Sequence, residues 1–506
     1  MKKNIIILFT ILIYSITNAQ SKDLLKLAKG DFLGMNAIFD SKENLFGYVS
    51  IYGYGKSGEK TKKFEYVILD KNLNPVANKE FEGDITVADY YAYMDFKGQI
   101  ILQPSSLDYS LKLKEMFSPS SMVIDVDKNE IHKKIHYDYD GKNFIEIDQP
   151  KNWKENKKED KAEKKEKGYN YVSRVYEIKE GGFLVTEFNN YGTYINNNSI
   201  SRFDDNKQEI WKYKYNISGD KKSKEILNVI EKDENFIYAF LETNKNKDKS
   251  FNLLVLDIKT GKEVHNENLS QPNSDVLDNI LYLGRIDNCK NFDDSIVLLG
   301  RDYKKGNLTQ TTGFVRLIID KKNFSIETKY LNYELHLKKH IPKLDNYGGV
   351  EGGYLLIPKD VFFLKNGSVG ILMEKYKPQG QYSASKTTDL VYIYTNKDFS
   401  VNGVQIFEKE KTKWFHSDYL FSQYLNDGKD VVFFFKDRQK DNETKEKNWN
   451  LFINTLINGN FKQEVVPISS KENIIFPYVA KEGFILLQEF NQKEKYNNVR
   501  LERLNY

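Results

Sequence analysis

Short apolar runs separated by polar turns recur along nearly the whole chain, and they read as strands. Eight segments share one pattern, an apolar strand running into a tight turn rich in Asp, Asn, Gly and Lys. They are FEYVILDKNLNPV (64–76), SMVIDVDKNEI (121–131), SISRFDDNKQEI (199–210), NLLVLDIKTGKEV (252–264), FVRLIIDKKNFSI (314–326), LVYIYTNKDFSV (390–401), NLFINTLINGNF (450–461) and NVRLERLNY (498–506). Each follows another apolar strand, such as FGYVSIYG, GFLVTEFNN, DVVFFFKD or GFILLQEFN. Asx and glycine residues supply turn geometry that other side chains resist. The eighth copy stops at its strand.

A strand-based repeat of this kind predicts an all-β fold and excludes helical solenoids. Four-stranded units arranged radially, a β-propeller, fit it best. Eight hairpins predict eight blades, with seven as the alternative count. The missing last strand predicts closure by an N-terminal strand pairing with 498–506, and DFLGMNAIF (31–39) is placed to supply it. The runs IILQP, IVLLG and VVFFF are apolar on both faces, as expected of strands buried twice. An outer-membrane β-barrel, the lesser alternative, needs stricter alternation over longer strands. Leu504, Glu502 and Arg500 do not make a lipid-facing row. The strand and turn Val255-Leu256-Asp257-Ile258-Lys259-Thr260-Gly261-Lys262 resembles a quinoprotein-like blade, and the repeats together resemble β-propeller proteins in general. The resemblance implies a fold and carries over no functional residue.

Composition agrees with strands: 34 Tyr, 32 Phe and 4 Trp make the chain 14% aromatic, and such side chains pack well on a pleated surface. The first residues read as a secretory signal. Lys2 and Lys3 precede the apolar run Ile5 to Ile16, and Thr17-Asn18-Ala19 offers small residues to a signal peptidase. Cleavage after Ala19 is expected, giving a signal peptide at 1–19 and a single propeller domain at 20–506. The expected location is periplasmic, cell-surface or secreted, with no transmembrane helix in the mature chain. The only cysteine is Cys289, so no internal disulfide forms and stability rests on burial. Loss of 1–19 leaves 74 basic and 72 acidic residues, a balance with no electrostatic case for nucleic acid. Residues 151–168, KNWKENKKEDKAEKKEKG, read as a charged loop insertion.

Candidate chemistry is sparse. His132 and His136, and His336 and His340, stand four apart, a chelating spacing on a helix but not on a strand. Leu335 and Leu337 alternate with polar neighbours, which predicts a strand and no metal. Asp125-x-Asp127-x-Asn129 lacks the Gly and Glu of a calcium loop and reads as a turn. Gly55-Lys56-Ser57 lacks the earlier glycine of a phosphate loop. Ser57, Ser218 and Ser383 each precede a lysine by three residues, too common a pattern to mark a nucleophile. No metal or cofactor is expected. The suggestive residues are aromatics at unit starts: Tyr91 and Tyr93 within DYYAY, and Trp414 and His416 within WFHSDY. In a propeller that strand lines the channel, so these four form the expected ligand face. Gly348-Gly349-Val350-Glu351-Gly352-Gly353 stands at a similar place and offers close backbone approach to a ligand. The expected function is non-catalytic binding or scaffolding for a protein, peptide or glycan partner. The alternative is a hydrolase or lyase acting on a glycan or peptide in the central funnel.

Overall fold

The recurring pair of apolar strands forms the middle of each sheet. A computed structural model describes residues 21–505 apart from 41–43, 106–119, 148–157, 159–160, 162–170, 180, 190–197, 216–222, 246–247, 270–288, 305–306, 379–384, 414–416, 441–445, 470–472, 492 and 494–495. The described residues form eight separate antiparallel sheets of at least four strands, with one extra hairpin, His136–Tyr139 with Phe144–Ile147. The fold is all-β and its sheets are propeller-type blades, eight rather than seven. Separate sheets also dispose of the barrel, which needs one continuous ladder. No described helix is long and apolar enough to cross a membrane. In the insertion at 151–168, only Lys158 and Lys161 are described, and both are helical.

Two compact units divide the chain. The first holds four sheets. The seventh sheet comprises Tyr419–Leu425, Asp430–Lys440, Lys447–Ile457 and Asn460–Pro467. The eighth comprises Asn473–Val479, Phe484–Asn491 and Tyr496–Arg503, completed by Ser21–Asp23. The first comprises Asp31–Phe39, Leu45–Lys56, Thr61–Asp70 and Pro75–Asp84, and the second Asp89–Met94, Ile100–Ser105, Met122–Asp125 and Glu130–Lys133. Successive sheets share a core. Val432 and Phe434 meet Ile485 and Leu487, Leu486 and Val499 meet Tyr48 and Leu69, and Val49 and Ile68 meet Ile100 and Leu102.

The second unit holds the hairpin and the third to sixth sheets, stacked in the same way. Its middle strands include Phe183–Asn189 and Ser199–Phe203 in the third sheet, Phe236–Lys245 and Asp248–Asp257 in the fourth, and Ser295–Lys304 and Asn307–Asp320 in the fifth. The sixth sheet runs through Gly349–Val350, Tyr354–Phe363, Val369–Lys377, Lys386–Thr395 and Val401–Phe407, with Thr412–Lys413 added beside Lys386–Thr395. Shared clusters join Leu184 to Ile237, Tyr238 to Ile296, and Phe314 to Ile371.

An N-terminal strand does pair with the C-terminal one, but it is not 31–39. Ser21, Lys22 and Asp23 lie opposite Arg500, Val499 and Asn498. Residues Asp31–Phe39 instead pair along Leu45–Lys56 as the first strand of the first sheet, burying Met35 and Ile38. An edge strand has only to satisfy backbone groups, so a polar triplet serves. Leu24 then anchors the segment: it is fully buried among Tyr48, Tyr52, Leu486 and Val499, and its carbonyl accepts the Tyr52 hydroxyl at 2.7 Å. Leu24→Ala is expected to cost about 2–5 kcal/mol, the range for emptying a leucine site that cannot collapse. Urea denaturation checks this; a loss well below 1 kcal/mol would mean that the segment is not anchored there.

Candidate functional site

Alternation along Asp89–Met94 sorts its side chains between two faces. Tyr90 and Ala92 are buried against the first sheet. The Tyr90 ring meets Phe64 edge-on at 5.2 Å and Phe81 at 5.3 Å. The other face carries Tyr91, 56% exposed, and Tyr93, half-buried. Their rings stack at 6.2 Å with 27° between planes. Exposed Gln103 lies directly opposite Tyr91 on the neighbouring strand. Burial, with Asp95 and Tyr91 nearby, raises the Tyr93 hydroxyl above its ordinary pKa, so it stays a neutral donor. The strand is held from its free edge, where Ala92 N–H donates to Asn36 Oδ1 at 3.0 Å. At its head, burial raises the Asp89 carboxyl even though it accepts Tyr90 N–H at 2.7 Å. That carboxyl comes close to Gly34, where a Cβ would lie 3.1 Å from it. The structure thus brings Tyr91 and Tyr93 together. Trp414 and His416 lie outside the described residues.

A second polar centre, not anticipated from sequence, lies in the sixth sheet around Glu374, which is fully buried on Val369–Lys377. A bulge between Pro358 and Asp360 leaves Lys359 out of the ladder, and its Nζ sits 3.1 Å from Glu374 Oε2. Ser417 Oγ donates to the same oxygen at 2.7 Å. Lys409 Nζ, also fully buried, stands 3.9 Å from Oε1, which accepts no hydrogen bond among the described residues. The Thr387 and Thr412 hydroxyls meet at 2.6 Å, and Lys409 Nζ reaches Thr387 Oγ1 at 3.5 Å. Beside them Asp389 pairs with Lys375 at 2.6 Å. Burial alone would raise Asp389, but the hydrogen bond and charge of Lys375 outweigh it and hold the carboxyl below its ordinary range. The sequence signal was a lone acid inside the apolar run VGILMEKY. Carboxylates set among lysines and hydroxyls in this way can hold strands together.

The remaining sequence features are turns or packing. Asp345 accepts the N–H groups of Tyr347 and Gly349 at 2.8 and 2.7 Å. Gly352 and Gly353 take φ of 75° and 74°, and the Gly352 carbonyl already accepts Lys377 Nζ at 2.6 Å. These glycines therefore build a turn. The strand expected around Leu335 is instead a π-helical turn, Tyr333–Leu337. Asn332 caps it by accepting the N–H groups of Glu334 and Leu335, so Leu337 is buried while Leu335 is 73% exposed. His336 Nδ1 accepts Asn332 N–H at 2.8 Å. No described group of three His, Cys, Asp or Glu residues is placed to hold a metal. Asp125 folds onto the Lys128 N–H at 3.1 Å, as the turn reading requires. Cys289 opens the fifth sheet and packs against its core. Burial, aided by Glu231, pushes its thiol up to about 12. The thiolate is the reactive form, so native alkylation at pH 8 is expected to be at least about 100-fold slower than in urea. Comparable rates in the two conditions would contradict this.

No protein-family profile matches the chain. No curated protein matches it in sequence. Among solved structures it is similar to the WD40 domain of SCAP from fission yeast, at 11% identity and a TM-score of 0.37, covering 96% of this chain and 97% of that one. It is also similar to the β-propeller domain of the Trilobed protease from Pyrococcus furiosus, at 11% identity and a TM-score of 0.30, covering 86% and 96%. A third similarity, to a prolyl endopeptidase, has 9% identity and a TM-score of 0.31, covering 89% and 54%. Likenesses this distant carry no functional argument.

Proposed function

We propose that the chain is an exported, non-catalytic binding or scaffolding protein for a protein, peptide or glycan partner. Its ligand face is built on Tyr91 and Tyr93. The observation that supports this is the stacked tyrosine pair, Tyr91 exposed and Tyr93 half-buried, on a strand whose other face is locked into the core. Tyrosine gives large contact area at low entropy cost and keeps a polar tip for a ligand. Trp414 and His416 extend the same reading. The leader-like first 19 residues, which lie outside the described residues, support the reading of export. The segment 255–262, which resembles a quinoprotein-type blade, includes a turn in which Asp257 accepts the N–H groups of Lys259 and Thr260.

The test is a Tyr91→Ser/Tyr93→Ser double variant beside Tyr90→Ser. The exposed Tyr91 tolerates exchange within about 0.5 kcal/mol and the half-buried Tyr93 adds about 1 kcal/mol, whereas the buried Tyr90 ring carries a cost of about 3–5 kcal/mol. The double variant should melt within a few degrees of wild type yet retain at least about tenfold less partner from a host envelope extract. Unchanged retention, or a stability loss as large as that of Tyr90→Ser, would overturn the reading.

A further inference from the structure

We propose that the Tyr91 face takes a neutral saccharide, an inference that rests on the binding function proposed above. Four features of the face select that chemistry. The first is the near-parallel pair of phenol rings, Tyr91 and Tyr93, at 6.2 Å. Flat π faces of this kind accept the C–H faces of pyranose rings, and phenol hydroxyls can bond the sugar hydroxyls at the rim. The second is Gln103, exposed and directly opposite Tyr91 in register. A side-chain amide offers two donors and an acceptor, which suits a hydroxyl-rich ligand.

The third feature is the charge state of the strand. Asp95, at its end, is bound to Lys134 at 3.5 Å with both side chains largely buried, so this pair does not call for an ionic ligand. Asp89, at its head, is turned toward Gly34 and has its charged form disfavoured by burial. The fourth feature argues against an extended peptide. Strand addition needs free backbone groups along an edge. The edge of Asp89–Met94 is already engaged, with Ala92 N–H donating to Asn36 Oδ1. A stacking ligand with hydroxyls and no charge meets all four conditions.

The experiment is saturation-transfer NMR on the mature chain, with the neutral hexasaccharides of β-1,4-linked and α-1,4-linked glucose as probes and polygalacturonate as the anionic control. The expected result is saturable transfer to a neutral hexasaccharide, weakened about tenfold or more by Tyr91→Ala or Tyr93→Ala. Gln103→Ala should weaken it about threefold or more, and Tyr91→Phe should stay within about twofold because the ring is kept. Unfolding is controlled by the melting comparison with Tyr90→Ser. No transfer to either neutral probe, transfer to polygalacturonate alone, or transfer indifferent to Tyr91→Ala would overturn the proposal. If saccharides fail while the Tyr91→Ser/Tyr93→Ser variant still loses its envelope partner, the saccharide inference falls and the binding face stands. If that variant loses neither, both fall.

Discussion

Replacing Arg316 by alanine is expected to cost about 3–5 kcal/mol, the cost of taking a charged donor from two turn carbonyls and emptying its buried site. Arg316 rises from the fifth sheet and is 1% exposed. Its Nη1 donates to the carbonyls of Lys397 at 2.9 Å and Gly367 at 3.3 Å, both in turns of the sixth sheet. Its guanidinium lies 5.0 Å from the centre of the Phe399 ring. Burial lowers its affinity for the proton, with Glu327 and Asp398 opposing, yet an arginine so placed remains charged. Alanine would leave two turn carbonyls without their donor and a void over Phe399. Arg316→Lys should recover part of the loss, because an ammonium can reach a carbonyl but lacks the planar fork. Urea unfolding of the three proteins measures this directly. A loss under 1 kcal/mol for the alanine variant would show that the arginine does not clamp the two sheets.

The second large effect is expected at Glu374. Glu374→Ala leaves Lys409 fully buried without the carboxylate that stands 3.9 Å away, and removes the acceptor of Lys359 and Ser417. Removing one partner of a buried ion pair costs about 3–5 kcal/mol. The double replacement Glu374→Met/Lys409→Met separates charge from packing. Exchanging a buried pair for apolar groups of similar volume is often neutral, so the double variant should be more stable than Glu374→Ala by about 2 kcal/mol or more. Lys359 retains water access in that background, since its side chain is 20% exposed. Equal stability of the single and double variants would mean that the charge is not what makes Glu374 matter.

Legibility in the sequence followed burial. The central pair of strands in each of the eight sheets was visible, because strands covered on both faces are mostly apolar, as Val431–Phe435 is. The closing strand was not visible. Ser21–Asp23 has no buried side chain and contributes backbone pairing, so its sequence carries no apolar mark. The π-helical turn at Tyr333–Leu337 mimicked a strand because two leucines spaced by two suggest one strand face, whereas on the turn they lie on opposite sides, Leu337 buried and Leu335 exposed. Tyr91 and Tyr93 could be placed on one face from alternation alone. The Glu374 centre could not, because its partners come from positions 359, 387, 409 and 417, which only the bulge at Lys359 and the return of Thr412–Lys413 along Lys386–Thr395 bring together.

The central claim, that ligand is held on the Tyr91 face, is tested most directly by photo-cross-linking in the host cell. Benzoylphenylalanine is placed at position 91 and, as a control, at Leu335, which is 73% exposed on the π-helical turn. A benzophenone abstracts hydrogen from any adjacent C–H bond, so peptide and glycan ligands are both captured. The account predicts a discrete adduct at position 91 and none at 335. Absence of an adduct at 91, or adducts of equal yield at both positions, would contradict it.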